Sequence, residues 1–459
     1  DYATTYWWRA RAELDGAVGP WSATFSFVTP DPPPPPSSPL SFTDISVASG
    51  IAPSVLGGHG AMFGDATGDG QPDLYFTMNF DVPQADLFFV NGGDGTFAEL
   101  GAARGVADFD VGSHGAAFAD LDNDGDYDLV NGATGEEGAP NNIFRNNGLG
   151  FFTDVTPADI AARAEGTRGI VTFDMDRDGD LDIFAVSGFL GSDDPSDERN
   201  ELYRNDGNLQ FTAITSGAAY NAQAGPGVTD TDYDGDGDPD LYVANDFFGP
   251  DRLYRNERGR FIDVTRQILP HVPWFSMGSD VADINNDGLL DLMGTDMAGS
   301  SHYTSKMGMG DMDRVGWFLT TSNPQQYMRN ALFINSGGGR FLEAAQLAGI
   351  ASTDWTWSVK FADLDNDGWV DVFGTNGMTH DSQNSDLMAQ AKVLSTQIEK
   401  AAFWQKLPPK RDTNFAFRNA GDLRFEGVET KWGLDFNGVS FGAAFADFDG
   451  DGDLDLAVV

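Results

Sequence analysis

The sequence contains no cysteine, which excludes disulfide bonds and a catalytic thiol. Basic residues are also few, since 27 Lys and Arg stand against 71 Asp and Glu and the formal net charge is −44. Nucleic acids and anionic membranes are bound through patches of Lys and Arg, so we expect neither as a partner. The chain has no run of 18 or more apolar residues, and membrane insertion is therefore not predicted.

What the sequence does contain is an acidic nine-residue loop that occurs seven times. Positions 1, 5 and 9 are always Asp and position 6 is always Gly, while position 3 is Asp except at Thr67 and Asn285. Hard cations such as Ca²⁺ prefer six to eight oxygen ligands, and closely spaced carboxylates with a backbone carbonyl at position 7 supply most of them. The repetition predicts a structural Ca²⁺ in each loop, with Mg²⁺ or Mn²⁺ left open as alternatives.

The predicted metal ligands are the residues at positions 1, 3, 5 and 9 of the loops, which we number one to seven in chain order. They are Asp65, Thr67, Asp69 and Asp73; Asp120, Asp122, Asp124 and Asp128; Asp174, Asp176, Asp178 and Asp182; Asp232, Asp234, Asp236 and Asp240; Asp283, Asn285, Asp287 and Asp291; Asp363, Asp365, Asp367 and Asp371; and Asp447, Asp449, Asp451 and Asp455.

These loops differ from EF-hands, although they open with the same pattern of alternating acids followed by Gly. In the loop that begins at Asp120, position 12 is Asn131 rather than a bidentate Glu. The flanking residues, such as Ala116–Ala119, have the pattern of strands rather than helices. The sequence therefore predicts metal loops in a β context.

The repeat extends beyond the loop, because successive loops begin between about 50 and 85 residues apart, a period typical of repeat folds. A short apolar strand follows each loop, as at Leu74–Phe76. Most units then contain the pattern Leu-Phe/Tyr-x-Asn-x-Gly-x-Phe, as at Leu202–Phe211, which predicts a hairpin. Each unit has about four short strands, the content of one propeller blade. We expect a Phe-x-Asp/Glu strand at Phe42 to open blade one.

These residues resemble the FG-GAP/VCBS repeat family, and within it the ASPIC/UnbV-type group that includes the cartilage acidic proteins. The segment Trp355–Asp371 is especially similar to that group, and the resemblance covers residues 41–459. It implies an all-β fold, a seven-bladed β-propeller with a calcium loop in each blade. The C-terminal domain after which the group is named is not in the sequence, and we expect the last blade to be open at its C-terminal side.

Residues 1–30 differ from the repeats and resemble the last two strands of a fibronectin type III domain. Strands are expected at Tyr6–Ala12 and Ala23–Thr29, with Gly19–Ser22 in the turn between them. Residues 31–40 form a Pro-rich linker of polyproline II type. We expect the chain to be a mature form or a fragment of a longer one, or the partial sheet to be completed by a partner.

One residue precedes each loop by six positions and begins the innermost strand of its blade: His59, His114, Arg168, Pro226, Met277, Trp357 and Phe441. This ring is predicted to line the mouth of the central channel. His59, His114, Arg168 and Trp357 are candidates for binding a ligand, and the histidines for binding a transition metal or for acid–base chemistry. Simple packing of the channel is the alternative.

Two insertions interrupt the later units, at residues 293–330 and 375–413. The first is rich in Met and Gly and includes Met307, Met309, Met312 and Trp317. The second predicts a helix from about Ser385 to Lys406 and contains the main basic cluster, Lys392, Lys400, Lys406, Lys410 and Arg411. Long insertions often carry function, although a cap packed on the propeller is the simpler interpretation.

No catalytic constellation is found, so we predict a non-enzymatic protein. Loops of this type need high calcium, which favours an extracellular or cell-surface location. The first hypothesis is a secreted, calcium-stabilised propeller that binds or adheres to a protein or glycan, or to further copies of the same chain. The alternatives are a subunit of an extracellular filament or tube assembled through open strand edges, and a polysaccharide lyase or hydrolase on a propeller scaffold.

Overall fold

The computed structural model describes residues 40–51, 57–79, 85–107, 112–134, 140–162, 166–187, 199–217, 219, 225, 227–246, 249–308, 323–382 and 384–459, together with the backbone of four short strands before residue 40. The described part of the chain is an all-β propeller arrangement built from antiparallel sheets. Within these ranges, no helix is long and apolar enough to cross a membrane.

Six sheets are blades. Each blade contains four strands that pair with their neighbours in chain order. They comprise Gly58–Gly64, Asp73–Met78, Leu87–Asn91 and Phe97–Glu99 in blade one; Ser113–Ala119, Asp128–Ala133, Asn142–Arg145 and Thr153–Asp154 in blade two; Thr167–Phe173, Asp182–Ser187, Glu201–Asn205 and Phe211–Ala213 in blade three; Gly227–Thr231, Asp240–Ala244, Arg252–Asn256 and Phe261–Asp263 in blade four; Ser279–Ala282, Asp291–Gly294, Ala331–Asn335 and Phe341–Glu343 in blade five; and Asp354–Ala362, Asp371–Asn376, Phe415–Asn419 and Phe425–Gly427 in blade six.

The prediction of seven blades is wrong, because the described part of the chain forms six. The seventh acidic loop joins only two strands, Ala443–Ala446 and Asp455–Val458, which we call the last sheet. The first strands of successive blades contact one another, and Ala443–Ala446 contacts the first strands of blades six and one. The last sheet thus lies between those two blades, with two strands instead of four.

The prediction that Phe42 opens blade one is also wrong. Residues 40–45 form no strand in the structure, and the outermost strand of blade one is Phe97–Glu99. The Phe42 N–H donates to the Trp432 carbonyl at 2.7 Å, and its ring packs against a cluster that includes Trp432 and Ala443. Phe42 therefore lies against blade six and the last sheet.

The hydrophobic core is divided into clusters between neighbouring blades. The second strands are the most buried, and Asp182–Ser187 and Asp240–Ala244 are buried at every position. In one cluster, Val130 of blade two packs with Ile183 and Tyr203 of blade three. Because each blade covers a face of the next, burial of apolar area holds the ring of blades together.

The insertions contribute short helices and small accessory sheets. The single helix predicted from Ser385 to Lys406 is instead two helices, Ser385–Lys392 and Gln397–Trp404. The second helix has its own start signal, because the Thr396 side chain accepts the Glu399 N–H in a capping box. Met309, Met312 and Trp317 lie outside the described residues.

The other helices within the described residues are single turns or little longer: Gly101–Arg104, Ala158–Ala161, Thr265–Ile268, His302–Met307, Ala345–Ala348 and Glu429–Trp432. The remaining strand pairs in the blade region are Val272–Pro273 with Gln326–Tyr327, Met297–Ala298 with the start of blade six, and Asp412–Thr413 with Asn437–Gly438.

Before residue 40, Thr5–Trp8 pairs antiparallel with Phe25–Val28, and Glu13–Leu14 pairs with Ala17–Val18. The likeness of this segment to a fibronectin type III domain stays a prediction. The Pro-rich linker, up to residue 39, lies outside the described residues.

Candidate metal loops and the axial cluster

All seven acidic loops have the same backbone frame. The position 1 carboxylate accepts the N–H of position 5 with one oxygen and the Gly N–H of position 6 with the other. In loop three, Asp178 donates to Asp174 Oδ1 at 3.1 Å and Gly179 donates to Oδ2 at 3.0 Å. Gly179 has φ +95°, a conformation that is strained for residues with a Cβ. The sequence pattern therefore fixes the turn that gathers the acids.

The position 9 carboxylate joins the loop to the third strand of its blade. Asp182 Oδ2 accepts the Met175 N–H at 2.7 Å, and its Oδ1 accepts the Asn205 N–H at 2.7 Å. The Asn205 side chain then donates to the Leu121 carbonyl in the preceding loop at 2.7 Å.

The same bridge to the preceding loop is made by the Asn of all six third strands, Asn91, Asn146, Asn205, Asn256, Asn335 and Asn419. The sequence marks these Asn residues as part of a strand motif. It does not show that they connect neighbouring blades.

Position 4 of each loop was also missed as a functional position. It has positive φ in every loop, and it is occupied only by Gly, Asn or Arg. Asn123 donates to Asp180 in the next loop at 2.7 Å, and Asn366 donates to Asp453 at 2.6 Å. The restricted composition of this position was the available signal, and where it is Asn or Arg the side chain links successive loops.

Five loops bring at least three carboxylates together, with candidate ligand atoms within 4.8 Å of one another. The groups are Asp120, Asp122 and Asp124; Asp174, Asp176 and Asp182; Asp232, Asp234 and Asp240; Asp363, Asp365 and Asp371; and Asp447, Asp449 and Asp455. Loops one and five have Thr67 and Asn285 at position 3 and so offer one carboxylate fewer.

Position 3 tests whether a cation fits these loops. Thr67 Oγ1 and one carboxylate oxygen each of Asp122, Asp176 and Asp365 are buried without a hydrogen-bond partner among the described residues. Buried polar atoms are normally paired, and an unpaired one is costly. A cation coordinated by oxygens would satisfy all four atoms at once, so this donor set fits Ca²⁺.

The position 9 carboxyls are poorly suited to remain charged without a cation. Burial raises the pKa of Asp128, Asp182 and Asp371 to about 7 and that of Asp240 to about 8, against the backbone hydrogen bonds that lower each pKa. Neighbouring loop carboxylates raise these pKa values further. A bound cation would oppose both causes and keep the carboxylates ionised.

The predicted ring residues begin the innermost strands, at the opposite end from the loops, and five of them meet. The His59 and His114 rings lie 3.6 Å apart between centroids. Phe441 stacks on His59 at 5.1 Å, and Trp357 lies 5.0 Å from Phe441. Arg168 Nη1 is 2.9 Å from His114 Nε2. We call these five residues the axial cluster.

The axial cluster is packed and its histidines are neutral. Burial, and then the positive charge of Arg168, lowers the pKa of His59 to about 3. Burial, His59 and Arg168 lower the pKa of His114 well below its usual range. Because the Arg168 guanidinium donates to Nε2 of His114, that nitrogen is an acceptor already in use. The ligand-binding role of His59, His114, Arg168 and Trp357 stays a prediction.

Met277, a further ring residue, is not one of the five. It is buried in an apolar cluster with Trp274, Phe275 and Trp355, against which Trp357 packs. Pro226 lies outside the described residues.

The two insertions meet around an open cavity of about 60 Å³. Its walls include Tyr303 and Met307 from the first insertion, Asp381 and Lys410 from the second, and Trp355 of blade six. Tyr303 is 69% exposed. Ser385 Oγ donates to the Met307 carbonyl at 3.0 Å and holds the insertions together.

A family model described as the FG-GAP-like repeat matches residues 65–131, 132–185, 232–294 and 308–374, which is more than half of the chain. Cartilage acidic protein 1 of Homo sapiens is 27% identical over 250 residues, 53% of this chain and 36% of that protein. The Mus musculus protein of the same name is 25% identical over 393 residues, 75% of this chain and 57% of that protein. The chain thus spans between about a third and three fifths of these relatives, whose names describe no enzymatic activity.

Two solved structures are similar over most of this chain. An Agrocybe aegerita lectin that recognises non-reducing terminal N-acetylglucosamine is 17% identical, with a TM-score of 0.46 over 95% of this chain and 90% of that one. A Bacillus licheniformis rhamnogalacturonan lyase is 13% identical, with a TM-score of 0.45 over 98% of this chain and 77% of that one. At this level of similarity, neither structure indicates a ligand or an activity for this chain.

Proposed function

Because the chain belongs to the family of FG-GAP-like repeat proteins, we propose that it is an extracellular binding module whose propeller is stabilised by calcium. Ca²⁺ would be held by the side-chain oxygens at positions 1, 3, 5 and 9, about one ion in each acidic loop. When bound, the ion supplies charge compensation and crosslinks the first two strands of each sheet. Extracellular calcium is high enough to fill loops of this type.

The observation that carries the calcium proposal is the repeated unpaired oxygen at position 3. The atom is buried without a described partner in loops one, two, three and six. In loops four, five and seven the position 3 oxygen accepts the N–H of position 5, and a coordinated cation would account for the atoms left over in the other four loops.

Thermal unfolding with and without a chelator tests this function. We expect chelation to lower the Tm by more than about 10 °C, since an ion that binds only the folded state stabilises it at each occupied site. Ca²⁺ should restore the Tm, while Mg²⁺ at equal concentration should restore less of it because Mg²⁺ retains its waters. An unchanged Tm after metal removal would contradict the proposal.

We propose that a protein or glycan partner binds at the cavity between the insertions. The cavity combines an exposed aromatic ring, Tyr303, with the polar groups of Asp381 and Lys410. Aromatic faces bordered by hydrogen-bonding groups are suited to both sugar rings and peptide side chains. The relatives' names, which indicate proteins of cartilage, support a matrix or cell-surface setting.

Binding of the protein to an array of neutral glycans and to extracted matrix proteins tests this location. Tyr303→Ala should lower the affinity for any captured partner at least tenfold. Leu347→Ala is the matched control, because Leu347 is 79% exposed and lies in blade five's helix away from the cavity wall. Equal loss in both variants, or loss in neither, would exclude the cavity.

Assembly through an open strand edge is a second candidate. In the described residues, Asp455–Val458 pairs on one side only, with Ala443–Ala446. An exposed edge can pair with a strand of another chain. Light scattering across a range of protein concentrations would detect such assembly, and a monomer at all concentrations would exclude it.

A further inference from the structure

The acidic loops are not equivalent, because loop six already faces a positive charge. Arg418 lies in the third strand of blade six, one residue before Asn419. Its Nε is 2.5 Å from Asp365 Oδ2, and its Nη2 donates to Asp367 Oδ2. Asp365 and Asp367 are positions 3 and 5 of loop six, so one guanidinium binds two of the four predicted ligand side chains.

The corresponding arginines of blades three and four donate hydrogen bonds to other acids. They act on Asp176 and Asp234 of loops three and four only as nearby positive charges, which oppose the rise that burial causes in the pKa of each carboxyl. Arg204 donates to Asp206 at 2.7 Å, and Arg255 donates to Glu257 at 2.7 Å. Each of these acids immediately follows the Asn of the third strand.

In blade six the residue at that place is Ala420, which is exposed and offers no carboxylate. Arg418 therefore lacks the local acid that engages Arg204 and Arg255, and it reaches the loop instead. In blade two the corresponding arginine is Arg145, and the residue after its neighbouring Asn is the uncharged Asn147. The Arg145 side chain, however, is exposed. The absence of the acid thus permits the contact with the loop, and in blade six the contact is made.

We propose that Arg418 lowers the calcium affinity of loop six at least tenfold below that of loops three and four. A cation entering the loop must displace two charge-assisted hydrogen bonds and meets the repulsion of the guanidinium. Loop six then fills at calcium concentrations where loops three and four are already saturated, and it responds to calcium over a higher range than they do. This inference rests on the proposed calcium function.

Loop six contains its own spectroscopic probe. Position 7, whose backbone carbonyl would face the ion, is Trp369, whereas loops three and four have Asp180 and Asp238 there. Tb³⁺ occupies oxygen sites for Ca²⁺ and emits when a nearby Trp transfers energy to it. Part of the Tb³⁺ emission excited through Trp should disappear in the Trp369→Phe variant. That part of the emission reports on Tb³⁺ bound in loop six.

The experiment compares Tb³⁺ titrations, and their reversal by Ca²⁺, in wild type and variants of the whole chain. We expect Arg418→Gln to lower the midpoint of the Trp369-dependent emission at least tenfold. Arg204→Gln is the matched control, because its arginine is paired with Asp206, and should change that midpoint less than about threefold. An unchanged or higher midpoint in Arg418→Gln would overturn the inference.

Ala420→Asp gives an independent test that leaves Arg418 in place. The new carboxylate restores the local acid of blades three and four, so it should draw the guanidinium away and lower the midpoint as Arg418→Gln does. Adding Ala420→Asp to Arg418→Gln should produce less than a twofold further change. A full additional shift in that double variant would mean that general negative charge, rather than the release of Arg418, causes the effect.

The calcium-binding function and the role of Arg418 are contradicted by different results. If Ca²⁺ and Tb³⁺ bind to no loop, the proposed function fails together with this inference. If the ions fill the other loops but neither Arg418→Gln nor Ala420→Asp changes the midpoint of loop six, only the inference about Arg418 fails.

Discussion

The two ends of the innermost strands use polar residues in opposite ways. At the C-terminal ends, the loops gather carboxylates whose pKa values are raised by burial and which leave oxygens without described partners. At the N-terminal ends, two histidines are packed among aromatic rings, and burial lowers their pKa values. The loop end gathers buried oxygens and carboxyls that a cation would satisfy, whereas the axial end keeps two histidines uncharged beside the Arg168 guanidinium.

Because of this difference, the dependence of stability on pH should have opposite signs for the groups at the two ends. A carboxyl whose pKa is raised in the folded state destabilises the metal-free fold as pH rises, since the folded protein binds more protons than the unfolded chain. A histidine whose pKa is lowered in the folded state has the opposite sign and destabilises the fold as pH falls below about 6.5.

The largest effect is expected at the loop end, in chelator. The pKa values of Asp128, Asp182 and Asp240 lie at about 7 to 8 because of burial. The Tm of the metal-free protein should therefore fall by roughly 10 °C or more between pH 5 and pH 8. With saturating Ca²⁺ the fall should disappear or reverse, because ions hold the carboxylates ionised. A Tm in chelator that rises over this interval would break the comparison.

A smaller effect is expected from cutting the link between loops. Asn205→Ala removes the donor to the carbonyls of Leu121 and Leu181, of which the Leu121 carbonyl is buried and the Leu181 carbonyl is half-buried. We expect a loss of about 2–4 kcal/mol in the free energy of unfolding. Asn437→Ala is the control, since Asn437 is exposed and donates only to Thr413, and should cost less than about 0.5 kcal/mol. Equal losses would show that the bridging Asn has no special role.

The smallest effect is expected at the axial end. His59→Phe keeps an aromatic ring beside Phe441 but removes a group whose pKa burial has lowered to about 3. In Ca²⁺, the variant should lose about 1–2 kcal/mol less than wild type between pH 7.5 and pH 5. Denaturant unfolding at the two pH values measures this difference. If wild type and variant lose the same amount, His59 is not buried as a neutral group.

The loop end was largely predictable because its information is local. Nine consecutive residues set the turn, and the repeated Asp and Gly identified all seven loops. The axial cluster was predicted as a ring from its fixed offset to the loops, yet the pairing of His114 with Arg168 depends on side chains 54 residues apart.

What the sequence did not reveal is mostly non-local. The Asn bridges join residues such as Asn205 and Leu121, which are 84 positions apart, and a linear motif does not name the partner. The number of blades was overestimated because each loop was taken to imply four strands, whereas loop seven joins two. The split of the predicted helix was readable in principle, since Thr396 and Glu399 have the spacing of a capping box.

The most direct test of the central claim is a count of bound Ca²⁺, by metal analysis of the protein after dialysis against calcium and by isothermal titration of the metal-free form. We expect about one ion per acidic loop at saturating calcium, with loops three and four filling before loop six. A protein that holds no Ca²⁺ under these conditions would contradict the account, because the unpaired oxygens at position 3 would then have no cation to explain them.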